Sequence, residues 1–359
     1  VMKILLFSRY DTLGASSRYR TYQYLPYLKK EGIEVETAPL LDNDYLRTRY
    51  LGKKYPLSRL LSAYQQRISL LLKSQKYDLI WLEKEALPWL PAWLELLLLR
   101  GRTPYVVDYD DAVFHRYDQH SAPIVRWLLA QKIDRVMQNA RLVIAGNDYL
   151  ANRATQAGAK WVEILPTVVD LDRYPLSKAP QNEVFTIGWI GSPLKFVDYI
   201  QELYPVLKEI CRDGGAKVVA IGAKETNLED IPLEIKPWSE ATEVKEMQQF
   251  DVGIMPLTDT AFERGKCGFK LIQYMASTRP VIGSPVGVNA EIIKEGINGF
   301  QASSQAEWLQ AFQNLKHDRD LRESMGWAGR KLVEDKYNIQ ITAPKMLQLL
   351  QKANQVLKT

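Results

Sequence analysis

The chain has 359 residues, longer than one ordinary domain, and this length predicts two. Hydrophobic residues make up 46% and charged residues 25%, the balance of a soluble globular protein rather than a disordered or membrane-embedded one. The net charge of +5 is modest, and no recognised nucleic-acid module accompanies it, so nucleic acid is not an expected partner.

The two cysteines, Cys211 and Cys267, lie far apart and form no disulfide framework, which suits a reducing cytosol. The longest apolar stretch, residues 87–99, contains Glu95 and two prolines. It falls short of the roughly 20 residues a spanning helix needs. The expected location is therefore cytoplasmic.

In chain order, residues 3–7 read as a buried strand; four apolar residues are too few for a signal-peptide core. Residues 18–30 read as a helix and 34–38 as a second strand. The periodicity of residues 58–73 places Leu60, Leu61, Tyr64, Ile68, Leu71 and Leu72 on one helical face. Strand-like runs follow at 79–82, 105–108, 142–145 and 162–165, with helical patterns between them. Residues 166–180, with Pro166, Pro175 and Pro180, break the pattern and read as an interdomain linker. Strands then recur at 185–190, 217–221, 233–236, 252–255 and 281–283, and helices at 305–315, 319–336 and 340–357 close the chain. Alternating β and α elements mean parallel sheets covered by helices on both faces. The expected fold class is α/β, with two Rossmann-like, doubly wound parallel-sheet domains facing a central cleft. Ligands in such sheets bind beyond the carboxyl ends of the strands, so residues just after strands are the ones to question.

Three such segments carry chemistry. After the first strand, Gly14 permits a tight backbone approach and a helix starts near Ser16 and Ser17. This is either an anion site at a helix N-terminus or a plain capped turn. The three-glycine dinucleotide pattern and the Walker lysine motif are both missing. Next, Asp108-Tyr109-Asp110-Asp111, with His115 close behind, ends a strand. Three readings stay open: carboxylates holding a divalent ion on a diphosphate, a helix cap, or a polar cluster orienting an acceptor hydroxyl and taking its proton late. The third reading is favoured for at least one carboxylate. Last, Glu263-Arg264-Gly265-Lys266-Cys267-Gly268-Phe269-Lys270 follows the strand ending at Met255-Pro256. A helix opening near Gly268 would turn backbone N–H groups towards a diphosphate, with Lys266 and Lys270 adding charge and Gln273 in reach of a ribose.

That third segment resembles the C-terminal signature of family 4 glycosyltransferases, which adopt the GT-B fold. Asn147-Asp148-Tyr149-Leu150, Leu165-Pro166-Thr167-Val168-Val169-Asp170, Gly188-Trp189-Ile190-Gly191-Ser192 and Arg322-Glu323-Ser324-Met325-Gly326 extend the resemblance over most of the chain. It implies an acceptor-binding domain at 1–170, joined by a C-terminal helix at 339–359 crossing back to it, and a nucleotide-sugar-binding domain at 171–338. It also implies a metal-independent, cofactor-free enzyme that retains anomeric configuration. The best expectation is a hexose, glucose from UDP-glucose, moved to a glycan or lipid-linked glycan in surface polysaccharide synthesis. Two alternatives are a non-catalytic nucleotide-sugar-binding or scaffold subunit and a sugar-nucleotide epimerase.

The residue assignments implied are these. Asp110, Asp111, Lys195, Glu263 and Lys270 are the catalytic candidates. Gly14, Ser16, Gly191, Ser192, Gly222, Lys266, Gly268, Phe269 and Gln273 are the donor-binding candidates. Arg18, Glu85 and His115 are the acceptor-binding candidates, and no metal ligand is assigned. The chain departs from the family pattern of two glutamates eight positions apart, because Gly265 and Gln273 occupy those places. Ser192 replaces the usual arginine after the glycine.

Arg47, Arg49, Lys53, Lys54, Arg59, Arg67, Lys73 and Lys76 face only Asp44 as an opposing charge, with Tyr45, Tyr50, Tyr55 and Tyr64 interleaved. The segment reads either as a solvated face or as a contact with an anionic acceptor or membrane at the inner face of the plasma membrane. Trp81, Trp89, Trp93, Trp127 and Trp161 read as core or interface packing, and Cys267 as small-residue packing.

Overall fold

The computed structural model describes residues 1–99, 103–193 and 195–355. It contains two six-stranded parallel sheets. The first comprises β1 (Met2–Phe7), β2 (Ile33–Thr37), β3 (Leu79–Glu83), β4 (Tyr105–Tyr109), β5 (Leu142–Ala145) and β6 (Val162–Ile164), in the order β2-β1-β3-β4-β5-β6. The second comprises β7 (Phe185–Ile190), β8 (Ala216–Ile221), β9 (Leu233–Lys236), β10 (Val252–Met255), β11 (Val281–Gly283) and β12 (Gly299–Gln301), in the order β12-β11-β10-β7-β8-β9. The strand order reverses between β1 and β3 in the first sheet and between β7 and β10 in the second. Those switch points are where doubly wound sheets hold ligands. The fold class agrees with the sequence expectation.

The chain divides into two compact units. The first is made of the described residues of Val1–Thr167, Arg264–Cys267 and Gln340–Thr359; the second is Val168–Glu263 with Gly268–Ile339. The closing helix, Ile339–Gln355, joins the first unit through Thr342, which meets the Tyr24 hydroxyl at 3.0 Å, and Lys345, which donates to the Ile164 carbonyl at 3.0 Å. The expected end of that helix at 357 lies outside the described residues.

Both cores form because the central strands are apolar on both faces, as parallel strands under two helical layers must be. Every residue of β3, β4 and β7 is buried.

Four readings change. Residues 18–30 are not one helix: they break into Ala15–Arg20, a 3-10 turn at Tyr22–Tyr24, and Leu25–Lys30, because Thr21 leaves helical geometry at φ −130° and Pro26 has no N–H to bond back to the preceding turn. The helix Leu57–Leu72 turns a different face inward. Leu71 and Arg67 are buried and Tyr64 and Ile68 pack on the core, whereas Leu61 and Leu72 are exposed. Arg67 therefore leaves the expected basic surface: its guanidinium donates to the carbonyls of Ser8, Ala38 and Ala86 and lies on the Phe7 ring, and burial lowers its pKa to about 10. Trp81 is buried, but Trp89, Trp93 and Trp127 are exposed. Finally, β12 has no three-residue signature of its own and escaped the strand pattern.

Candidate functional site

In the first unit, β3 and β4 end side by side, with Glu83 in register with Asp108. Asp108 is held by a bidentate pair from Arg20, Nε to Oδ1 at 2.7 Å and Nη2 to Oδ2 at 2.8 Å, both side chains fully buried. Burial pushes the Asp108 carboxyl above the usual range while Arg20 opposes it. Arg20 also donates to the Leu165 carbonyl at 2.7 Å, so the pair ties β4 to the end of β6. Asp108 is thus a structural residue rather than the leading ligand of a metal motif.

Beyond β3 stands Lys84, in the left-handed backbone region at φ 66°. A non-glycine residue there is strained and held by its surroundings. Its buried ammonium lies 2.8 Å from Asp110, 3.6 Å from Asp111 and 2.9 Å from the Ser16 hydroxyl. Ser16 donates to Asp110 Oδ2 at 2.5 Å and to Glu83 at 3.1 Å. Burial alone would raise the Asp110 pKa, but Lys84, then Ser16, outweigh it and bring it down to about 2. The same carboxylates raise Lys84, although burial works against this. The Lys84 ammonium thus offsets the charge of the two carboxylates.

The segment Arg264–Cys267 completes this cluster. Asn147 donates to the carbonyls of Gly265 and Lys266, both at 3.0 Å, and Cys267 Sγ reaches the Asp110 carbonyl at 3.2 Å. A Cβ on Gly265 would lie 2.5 Å from Ala112 Cβ and 2.8 Å from its nitrogen. No side chain fits there, so Gly265 cannot be replaced by the family's glutamate without moving backbone. Lys266 lies 3.8 Å from Asp111, placing it with the acceptor candidates rather than with Gly268. Burial raises the Cys267 thiol to about 12, which fits packing and not reactivity.

The three acceptor candidates are committed to bracing. Glu85 is buried between Lys132 at 2.7 Å, Arg9 at 3.2 Å and the Tyr117 hydroxyl at 2.8 Å, and these cations hold its pKa down against burial. Arg18 donates to the Thr12 carbonyl at 2.9 Å and so fixes the Gly14 turn. The two ring nitrogens of His115 meet Asp118 and the Tyr149 hydroxyl, each at 2.8 Å.

In the second unit, Gly268 opens the helix Phe269–Ala276 at φ 64°. A Cβ there would lie 2.5 Å from Ile292 and 3.1 Å from Asn289 Oδ1, so both conformation and space require glycine. Lys270, in the first turn of that helix, lies over the Trp189 ring at 4.3 Å and the Tyr199 ring at 5.3 Å. The Tyr199 hydroxyl donates to Glu263 at 3.0 Å. Gly191 and Gly222, at the ends of β7 and β8, touch closely: a Cβ on Gly222, at φ 79°, would lie 2.5 Å from the Gly191 carbonyl, and one on Gly191 would lie 3.1 Å from Lys270 Nζ. Lys270, Glu263, Gly191 and Gly222 thus come together at the β7 switch point, with Ser192 next in chain.

Lys195 is exposed, pairs with Asp198 at 3.4 Å and lies 6.0 Å over the same Tyr199 ring. Gln273 is buried within the helix and donates to the Tyr174 hydroxyl at 3.5 Å. Trp189 and Tyr199, which frame Lys270, were not singled out from the sequence, and neither was Lys84. Only the odd Glu-Lys-Glu after an apolar strand could have pointed to Lys84.

Residues 181–318 match the family model described as glycosyl transferases group 1. The matched residues contain Glu263, Gly268 and Lys270. No curated protein matches the chain by sequence. Among solved structures, HepE of Anabaena in complex with UDP-glucose is similar with a TM-score of 0.73 at 15% identity, over 98% of this chain and 100% of that one. The sucrose-phosphate synthase of Thermosynechococcus elongatus has a TM-score of 0.72 at 15% identity, over 98% and 99%. The pneumococcal O-GlcNAc transferase GtfA, in complex with UDP and GlcNAc, has a TM-score of 0.57 at 15% identity, over 84% of this chain and 61% of that one. The shared fold is GT-B.

Proposed function

We propose that the chain is a retaining, metal-independent hexosyltransferase using a UDP-sugar, UDP-glucose being the first donor to test. The observation that carries this is the meeting of Lys270, Glu263 and the Gly191–Gly222 contact at a helix opened by Gly268, inside the family-matched segment. A UDP-glucose complex of the structurally similar HepE supports the choice of donor.

In this reading the Gly268–Phe269 backbone and Lys270 receive the diphosphate. Breaking the bond from the anomeric carbon to phosphate oxygen leaves negative charge on UDP, and a preformed cation and helix N-terminus stabilise it. Glu263, oriented by Tyr199, takes hydroxyls of the donor sugar. Gln273 acts from behind by holding Tyr174. On the acceptor side, Asp110 near pKa 2 is too weak a base to remove a proton efficiently. It accepts a hydrogen bond from a neighbouring hydroxyl of the acceptor instead, with Asp111 beside it. The departing phosphate oxygen takes the acceptor's proton as the new glycosidic bond forms on the same face. Gly14 and Ser16 position the loop that carries this cluster.

The acceptor is proposed to be a glycan or lipid-linked glycan of a surface polysaccharide, met at the inner face of the plasma membrane. The exposed part of the 47–76 segment would face the anionic lipid. Thermal shift against nucleotide-sugars, with and without chelator, tests the donor. Stabilisation by a UDP-sugar that survives chelation is expected, and stabilisation by none overturns the assignment.

A second reading, a nucleotide-sugar-binding subunit without turnover, is favoured by Gly265, which leaves no room for one of the family's two glutamates. UDP release in the presence of acceptor separates the two.

A further inference from the structure

Three neighbouring strands of the second sheet, β7, β8 and β9, run parallel and end on the same edge. The residues just beyond them are Gly191, Gly222 and, after Pro237, Trp238. The ladder continues one step past the strands: the Gly191 N–H donates to the Ile221 carbonyl at 3.1 Å, and the Gly222 N–H to the Lys236 carbonyl at 2.8 Å. Gly222 then turns with its left-handed φ, and a Cβ on it would lie 3.1 Å from Trp238 Cβ as well as 2.5 Å from the Gly191 carbonyl. A Cβ on Gly191 would meet the Trp189 ring at 2.4 Å and Lys270 Nζ at 3.1 Å. Contact therefore runs without a break from the Lys270 ammonium, across two bare glycines, to the Trp238 side chain.

Trp238 is half-buried and packs on the core of this unit. Its indole N–H donates to Glu243 Oε2 at 2.7 Å, and the buried Glu243 is paired with Arg173 at 2.9 Å. A half-exposed ring can turn about two side-chain torsions; a bond to a buried carboxylate removes that freedom. The indole is thus a preorganised flat surface, which loses little entropy when another flat group settles on it.

We infer that Trp238 carries the base of the nucleotide, and that Glu243 and Arg173 are positioning residues that hold the indole for it. The row offers a cation, then bare backbone, then an aromatic ring. A nucleoside diphosphate presents the complementary order: an anion, a ribose, then a flat π surface. The two glycines form a floor for the ribose, and no side chain on them intrudes. Every base has a π face, so a ring here contributes affinity whichever sugar the diphosphate bears. The inference rests on the nucleotide-sugar reading above and adds the residues that hold the base.

The test is calorimetric titration of UDP and of inorganic pyrophosphate into wild type, Trp238→Phe and Trp238→Leu. Pyrophosphate carries the charged end of the ligand and no base. Trp238→Leu should weaken UDP binding roughly tenfold or more, the loss of one base–aromatic contact, and leave pyrophosphate binding unchanged. Trp238→Phe keeps a ring but not the N–H bonded to Glu243, and should recover part of the affinity. Tryptophan emission gives a second readout. UDP should quench wild type beyond the quench that pyrophosphate gives through Trp189, and Trp238→Phe should lose that excess; this readout carries the test should the leucine variant melt early. Equal UDP affinity in wild type and Trp238→Leu overturns the inference, because the ring then does not meet the base. A parallel loss of UDP and pyrophosphate also overturns it, because the residue then only shapes the strand ends. In both cases UDP binding by wild type leaves the donor assignment standing. Wild type that binds pyrophosphate but not UDP refutes the nucleotide reading itself, and the base platform falls with it.

Discussion

Lys84→Met removes the ammonium that Asp110, Asp111 and Ser16 share while keeping the length of the side chain. The lysine is buried, so Asp110 is left as an uncompensated buried charge, which costs about 3–5 kcal/mol. A second route gives a similar size. Holding Asp110 at about 2 rather than the ordinary 3.8 is worth about 2.5 kcal/mol. In the wild type this contribution is fully present above the unfolded carboxylate pKa and disappears as pH falls from about 4 to about 2. In Lys84→Met the sign reverses, because burial then raises Asp110, and acidification relieves the strain instead of adding to it. The assay is thermal melting of the two proteins across pH. The variant should melt roughly 10 °C lower at pH 7, the gap should narrow towards pH 4, and Asp110→Asn should restore part of the loss in the double variant. Equal melting at pH 7, or a double variant no better than the single one, would refute the claim that Lys84 neutralises Asp110.

The other expectations are simpler. Gly268→Ala meets a left-handed φ and the Ile292 side chain together; it should cost about 1–3 kcal/mol and abolish thermal stabilisation by nucleotide-sugar. Gly265→Glu restores the family residue but collides with Ala112; urea unfolding should show about 1–3 kcal/mol of lost stability, and UDP release should not rise. Tyr199→Phe unpins Glu263, so turnover should fall roughly tenfold with melting unchanged, as read by steady-state kinetics.

Much of the architecture is visible in residue order because parallel sheets under two helical layers impose apolar runs at strand spacing. Residues 252–255 and 281–283 stand out for that reason. The helix Leu57–Leu72 shows the limit: leucines mark both faces, and a core arginine satisfying three loop carbonyls decides which one is inside. Gly268 was legible, since a glycine before an apolar helix following a strand has few other uses. Lys84 was not, because its importance comes from a backbone φ and from carboxylates on the next strand. Nor was the split of one loop into Glu263 and Gly268 on one unit and Gly265 and Lys266 on the other. That division depends on Asn147, more than a hundred residues away.

Calorimetric titration of UDP-glucose into wild type and Lys270→Ala, both with chelator present, tests the central claim most directly. The account predicts binding by wild type that the chelator leaves intact and that is weakened about tenfold or more in the variant, the loss of one charge-assisted contact to phosphate. Equal affinity in the two proteins, or binding that the chelator abolishes, would contradict it.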